Sequence, residues 1–398
     1  MRLRPVSKQL QFHPQRSISK IVITNPIAIR LHQISRAVSK GFLLFLVSLG
    51  VFCGAGYGGF TYYISKYQDI SKEWSYLAKY HTRLGVYHQD IQDDYRDANQ
   101  EVEDFTNALK IVAESEGEII DSNNANENYG KFKLLPLNKV KEKSKDWQKS
   151  YIDVVIRLAI AKAELGDLDN AYKLVMYSTA IPIDIGSLDM RSRSLRLLSK
   201  ISTLQKDPIE KSENYLIDAV RFNEIHHDDI RFKENGSLIL DPNSRLNRET
   251  FESLLNLGVL YSKTDNSSKA LEIFLNLLQL TEISIQRSQS EDSKSIEEPL
   301  MTDSPLLKNY IAEILYKKGL VQNSLQWAQD SYSESSAFAR SNIPATIISK
   351  QSLQNTILIY ERLGNLEKAK ELTKILDEIV IPIRNETFWK TLKDILLT

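Results

Sequence analysis

Apolar and polar positions along this chain follow two regimes. Residues 42–64, FLLFLVSLGVFCGAGYGGFTYYI, contain no charged side chain over 23 positions. As a helix this run reaches roughly 35 Å, enough to cross a hydrocarbon core of about 30 Å with some tilt. It predicts a transmembrane helix within 41–65, with Tyr57, Tyr62 and Tyr63 toward its C-terminal interface. Gly50, Gly54 and Gly58 recur every four residues on one face of that helix. Small residues at this spacing let two helix backbones approach closely in lipid, so the face is a candidate helix–helix contact; the alternative is the ordinary glycine enrichment of spans. From Asp69 onward apolar residues recur with helical spacing, one amphipathic helix after another, with no convincing alternating strand run.

The most regular stretch of that second regime is FESLLNLGVLYSKTDNSSKALEIFLNL, residues 251–277. Leu257-Gly258, Tyr261, Ala270 and Phe274 match the tetratricopeptide (TPR) pattern L-G-x-x-Y…A-x-x-x-F in register. The small residue sits where two helices cross and the aromatic fills the groove beside it. With Ala270 as anchor, other units align. Leu158, Ala159, Gly166, Ala171 and Pro182 mark one at 151–182; Tyr360, Gly364 and Ala369 mark another at 343–376, where Thr356 and Ile357 replace Leu-Gly. Ala312 and Gly319 mark a third at 305–332, with Ser324 and Ala328 for Ala and Phe. A degenerate unit at 190–222 retains only Ser212, Leu216 and Ala219. Anchors at 171, 212, 270, 324 and 369 are wider apart than the TPR period of about 34. Each unit therefore carries extra residues, and two polar insertions are visible. One precedes Arg245 and holds an Asn235-Gly236 turn; the other, at 288–305, is Ser/Glu-rich and reads as disordered.

These readings predict an all-α chain: a basic tail (1–40), one transmembrane helix (41–65), a helical stalk and linker (66–146), and a TPR-like solenoid with insertions (147–398). Residues 386–398 place Phe388, Leu392, Ile395 and Leu396 on one face, as expected of a capping helix.

Charge orients the span. Net charge is zero overall, yet residues 1–40 carry eight basic side chains and no acid. The remaining chain sets 43 basic residues against 51 acidic, a net of −8. The positive tail is expected to stay on the inner side and the acidic domain to be translocated. An Arg- and Ser-rich, acid-free tail of 40 residues also has the composition of a mitochondrial presequence, which places the tail in the matrix and the domain in the intermembrane space. A secretory membrane is the alternative, supported by sequons at Asn235, Asn266 and Asn385. An acidic domain argues against nucleic acid as a partner. Cys53, the only cysteine, lies in the span, so no disulfide within the chain and no Cys-based metal site can form.

No phosphate-binding glycine loop, nucleophile elbow or zinc-helix motif occurs, so the sequence predicts no enzyme, cofactor or small-molecule substrate. His226-His227-Asp228-Asp229 is the one local group of metal-ligand types. Adjacent side chains diverge, and no metal is expected there. Asp93, Asp94 and Asp97 read as a solvated helix face.

The tail, span and degenerate TPR units with long insertions resemble a family: the TPR-containing adaptor subunits of the fungal mitochondrial i-AAA protease. The resemblance implies an inner-membrane protein that works beside a second membrane adaptor and delivers unfolded or membrane-anchored substrates to the protease without hydrolysing anything. In the unit at 305–332 the concave positions of the first helix are Asn309, Glu313, Tyr316 and Lys317, candidates for peptide contacts or simply a solvated face. An assembly factor for a respiratory-chain complex, or a membrane scaffold, would share the same architecture.

Overall fold

The computed structural model describes residues 70–90, 97–118, 133–181, 188–224, 230–232, 238–240, 247–264, 266–290, 298–339 and 342–379. The chain divides into two compact units, Met1–Tyr63 and Ile64–Thr398. The predicted span, with Gly50, Gly54 and Gly58, lies outside the described residues, among which no helix is long and apolar enough to cross a membrane.

The described residues form a TPR-like helical solenoid. Its helices are α1 (Tyr76–Asp90), α2 (Ala98–Ser115), α3 (Leu137–Lys141), α4 (Lys145–Glu164), α5 (Leu168–Ala180), α6 (Leu188–Leu204), α7 (Ile209–Glu224), α8 (Arg248–Lys263), α9 (Ser267–Ser290), α10 (Glu298–Lys317), α11 (Val321–Ser336), α12 (Ile343–Arg362) and α13 (Leu366–Glu378). Leaving α3 aside, they pair into hairpins in chain order, and each second helix of a pair packs on the first helix of the next. Side-chain caps start α4, α8 and α12. Ser144 accepts from the Trp147 N–H, Asn247 from Thr250 and Asn342 from Ala345, each satisfying a donor the helix leaves open.

The crossing positions explain the repeat. A Cβ on Gly258 would stand 2.4 Å from Cε1 of Phe274, so the ring lies where a side chain would otherwise be. Leu158, Ala159, Ala171, Leu257, Ala270, Ala312 and Ala369 are all buried, and Tyr360 is half-buried. Tyr261 donates from its hydroxyl to Glu213 across the junction with α7 at 2.6 Å, while Phe274 stacks on Tyr310 of α10 at 5.1 Å. Where Ser324 replaces alanine, its hydroxyl is paid off by donating to the Ala312 carbonyl at 2.7 Å.

The sequence reading and the structure differ in three places. Residues 76–115, expected as stalk, are a repeat hairpin. Gly85 meets Phe105 as Gly258 meets Phe274, with an added Cβ 2.6 Å from the ring. Its core runs on through Leu135, Trp147 and Tyr151 into α4 and α5, so packing is continuous across the boundary expected at 146/147. The first polar insertion contains a two-stranded ribbon, Ile230–Phe232 paired antiparallel with Leu238–Leu240. The second is shorter than expected, since α9 extends to Ser290 and α10 begins at Glu298. Three residues at its C-terminal end reach neighbouring helices: Asp303 binds Arg248, Ser304 donates to Glu334, and the Pro305 carbonyl accepts from Ser331.

Tight turns between paired helices rely on left-handed glycines, Gly166, Gly319 and Gly364, at φ of 83°, 80° and 78°. In the degenerate unit Lys206 occupies this conformation, at φ 61°. Its Cβ is strained there, so Lys206→Gly is expected to stabilise the domain by about 0.5–1 kcal/mol, read as a raised urea midpoint at unchanged slope. Gly258→Val should instead cost about 2–3 kcal/mol by driving the helices apart at Phe274.

Candidate functional site

The first helices of the hairpins, α1, α4, α6, α8, α10 and α12, line one face of the solenoid. Each touches the next through polar side chains. Arg157 on α4 donates to the Gln89 side chain on α1 at 2.6 Å and to Asp153 at 2.8 Å. Asp153 in turn pairs with Arg193 on α6 at 3.4 Å. Arg196, one turn further along α6, is only 10% exposed and meets Glu249 and Glu252 of α8 at 2.5 and 2.8 Å. Arg248 of α8 reaches Asp303 of α10 at 2.6 Å. Between α10 and α12 the link becomes amide-based. Asn355 donates to Asn309 at 2.9 Å and to Glu313 at 3.1 Å, while Asn309 also donates to Glu313. A polar seam thus ties all six first helices together.

Burial tunes this seam. Desolvation raises the Asp303 carboxyl above its ordinary value against the pull of Arg248, whose guanidinium is itself desolvated yet held charged by Asp303 and Glu252. Glu313 is also raised by desolvation, because two amides stabilise its charged form less than an arginine would. Burial likewise pushes the neighbouring Tyr310 phenol up to about 12.

The structure separates the four residues predicted for peptide contact. Asn309 is buried and Glu313 largely so, both committed to holding α10 against α12; for Asn309 the expected peptide contact is therefore corrected to a packing role. Tyr316 lies half-buried under the Arg362 guanidinium at 4.8 Å, and Lys317 is exposed, donating to the Ser262 carbonyl at 3.1 Å. These two leave part of their side chains accessible to a partner along this face. The seam arginines were missed in the sequence; the recurring signal is acidic, since Asp153 and Glu252 each stand six residues before the crossing residue (Ala159, Gly258), and Glu249 and Asp303 nine before it (Gly258, Ala312). His226–Asp229 lie outside the described residues, among which no group of three ligand-type side chains is placed to hold a metal.

Such an array defines a TPR-like repeat protein. No family model matches the chain, and no curated protein does. Among solved structures it is similar to BtubC (BKLC) from P. vanneervenii, at 11% identity and TM-score 0.47 over 61% of this chain and 85% of that one. It is also similar to a putative kinesin light chain with TPR-like repeats from Podosopora anserina, at 15% identity and TM-score 0.40 over 57% and 94% of the two chains. Yeast Tom70 aligns at 13% identity and TM-score 0.34 over 84% and 68%. At these identities and scores, none of them speaks to partners or substrates.

Seam and pH can be tested together. Glu313 has a folded-state pKa above its reference value of 4.5, so the native state binds its proton more readily than the unfolded chain. Its contribution is therefore greatest below that value and falls as pH rises through the raised pKa. Glu313→Gln should remove this slope above pH 4.5, seen as unfolding midpoints that converge with wild type on acidification. Arg196→Ala should cost about 2–3 kcal/mol at neutral pH, because it strands two partly buried carboxylates.

Proposed function

We propose that this chain is a membrane-anchored adaptor of mitochondrial protein quality control. It binds unfolded or membrane-protein segments along its first-helix face and presents them to the i-AAA protease of the inner membrane, with its N-terminus in the matrix and its repeat domain in the intermembrane space. The observation that carries this reading is the continuous first-helix face, cross-linked by the polar seam and offering Tyr316 and Lys317 to a partner. A face fixed in advance spends little ordering entropy when a peptide lies on it. A span holding that face near the bilayer would raise the effective concentration of segments emerging from lipid. The span and its orientation come from the acid-free tail and the uncharged run at 42–64.

Affinity purification of the full chain in mild detergent tests the reading. Co-purification of an AAA metalloprotease and a second membrane adaptor supports it; recovery of respiratory-complex subunits alone would favour the assembly-factor role. Protease treatment of mitoplasts should digest the repeat domain, and a protected domain overturns the orientation. Replacing Gly50, Gly54 and Gly58 together by leucine is expected to reduce recovery of the membrane partner by about tenfold, while substrate capture by the repeats persists.

A further inference from the structure

Helix α1 has two sides of opposite character. Ala78, Thr82, Gly85 and Val86 are buried, with the Phe105 ring of α2 lying over Gly85. On the other side Tyr76, Tyr80, Leu84 and Tyr87 recur at i, i+4, i+8 and i+11, a helical stripe with Leu77 beside it. Tyr76 is 65% exposed and Leu77 52%; Tyr87 is exposed, and Tyr80 and Leu84 are half-buried. The solvated face of a surface helix is ordinarily charged or polar. This one is aromatic and aliphatic, and α1 holds no carboxylate before its last residue, Asp90.

The charge around this stripe is positive and uncompensated. Lys79 and Arg83 border it, and Lys72 is exposed just ahead of the helix. None of the three pairs with a carboxylate among the described residues. Lys79 donates to the Lys72 carbonyl at 3.0 Å, and the Arg83 Nε is buried without a hydrogen-bond partner. Neighbouring acids are engaged elsewhere: Glu73 accepts from Ser144, and Asp104 is shared by His81 and His88. The seam arginines, by contrast, all meet carboxylates. Exposed tyrosine and leucine set among free cations suit the headgroup layer of an anionic bilayer, where rings settle at the interface and cations meet phosphates. Lipid would also be within reach. The uncharged run at 42–64 ends six positions before Ile70, about 20 Å at full extension. The tail at 1–40, with eight basic residues and no acid, would be repelled by these cations, as would the same face of a second copy.

We propose that the outer side of α1 rests on an anionic lipid surface, with Tyr76, Leu77 and Tyr87 in the headgroup region and Lys72, Lys79 and Arg83 against lipid phosphates. This deepens the adaptor reading and rests on its membrane anchor. It sets the first hairpin at the bilayer, so that segments leaving lipid meet the first-helix face from its α1 end.

The full chain tests this, with Cys53→Ser to remove the native thiol, in phosphatidylcholine vesicles that contain phosphatidylglycerol and a lipid with a nitroxide on its headgroup. A fluorophore on Leu77→Cys should be quenched at least about fivefold more than one on Leu366→Cys, a comparably exposed position in α13. Lys72→Glu, Lys79→Glu and Arg83→Glu together should cut the quenching at Leu77→Cys by about threefold. Equal quenching at the two sites, or no loss on charge reversal, overturns the proposal. A cross-link between two Leu77→Cys chains in place of quenching would give the face to a second copy and overturn it as well. An alkaline carbonate wash separates this inference from the reading it rests on. A chain stripped from the vesicles overturns the anchor and the adaptor reading with it. A chain that resists the wash yet shows no quenching at Leu77→Cys overturns the lipid contact alone.

Discussion

The close crossing of paired helices is the constraint from which the rest of the solenoid follows. Gly258 and Gly85 remove a side chain so that Phe274 and Phe105 can fill the space against the opposing backbone. Alanine does a looser version of the same at Ala159 and Ala312. Once that crossing is set, a hairpin has two faces, and the second helix can bury its remaining apolar side only against another hairpin. Stacking is therefore compulsory, and the array grows one unit at a time. Long insertions are tolerated because they leave from loops on the edges, where a ribbon such as 230–240 does not disturb the crossing.

First-helix contacts obey a different chemistry. Apolar packing dominates between paired helices, but neighbouring first helices meet through arginine, carboxylate and amide groups. Burying such groups costs free energy that a good ion pair roughly returns, so the seam adds specificity of register more than net stability. A hairpin slipped by one helical turn would leave Asp303 or Glu249 desolvated without an arginine. That penalty, on the order of a few kcal/mol, favours a single curvature of the first-helix face.

Much of this was legible in the sequence, because crossing positions demand particular residue sizes. The pattern at 251–277 is visible for that reason, and aligned positions carried it to 151–182, 305–332 and 343–376. The hairpin at 76–115 carried the same signs, Leu84-Gly85 and Phe105, but a longer connection between its helices moved them out of the expected spacing. The segment around Asp303 misled for a physical reason. Threonine, aspartate, serine and proline in a row have the composition of a loop, and only the position of Arg248 and Glu334 on adjacent helices makes them interior. Seam pairing depends on two helices far apart in sequence, so Asn309 and Glu313 looked like solvent-facing contacts when read along one helix alone.

The seam also shapes how a partner can be held. Its carboxylates and arginines largely neutralise one another, and each contact already made is unavailable to a ligand. Recognition by charge pattern would have to break these pairs, exposing a desolvated partner at every step. What remains accessible is an aromatic ring with a stacked guanidinium and a lysine, groups that tolerate many sequences and select few. A surface of this kind binds weakly and broadly. On the adaptor reading proposed above, weak contacts would suffice where a membrane anchor keeps the local concentration high, because tethering supplies affinity without demanding a preferred sequence.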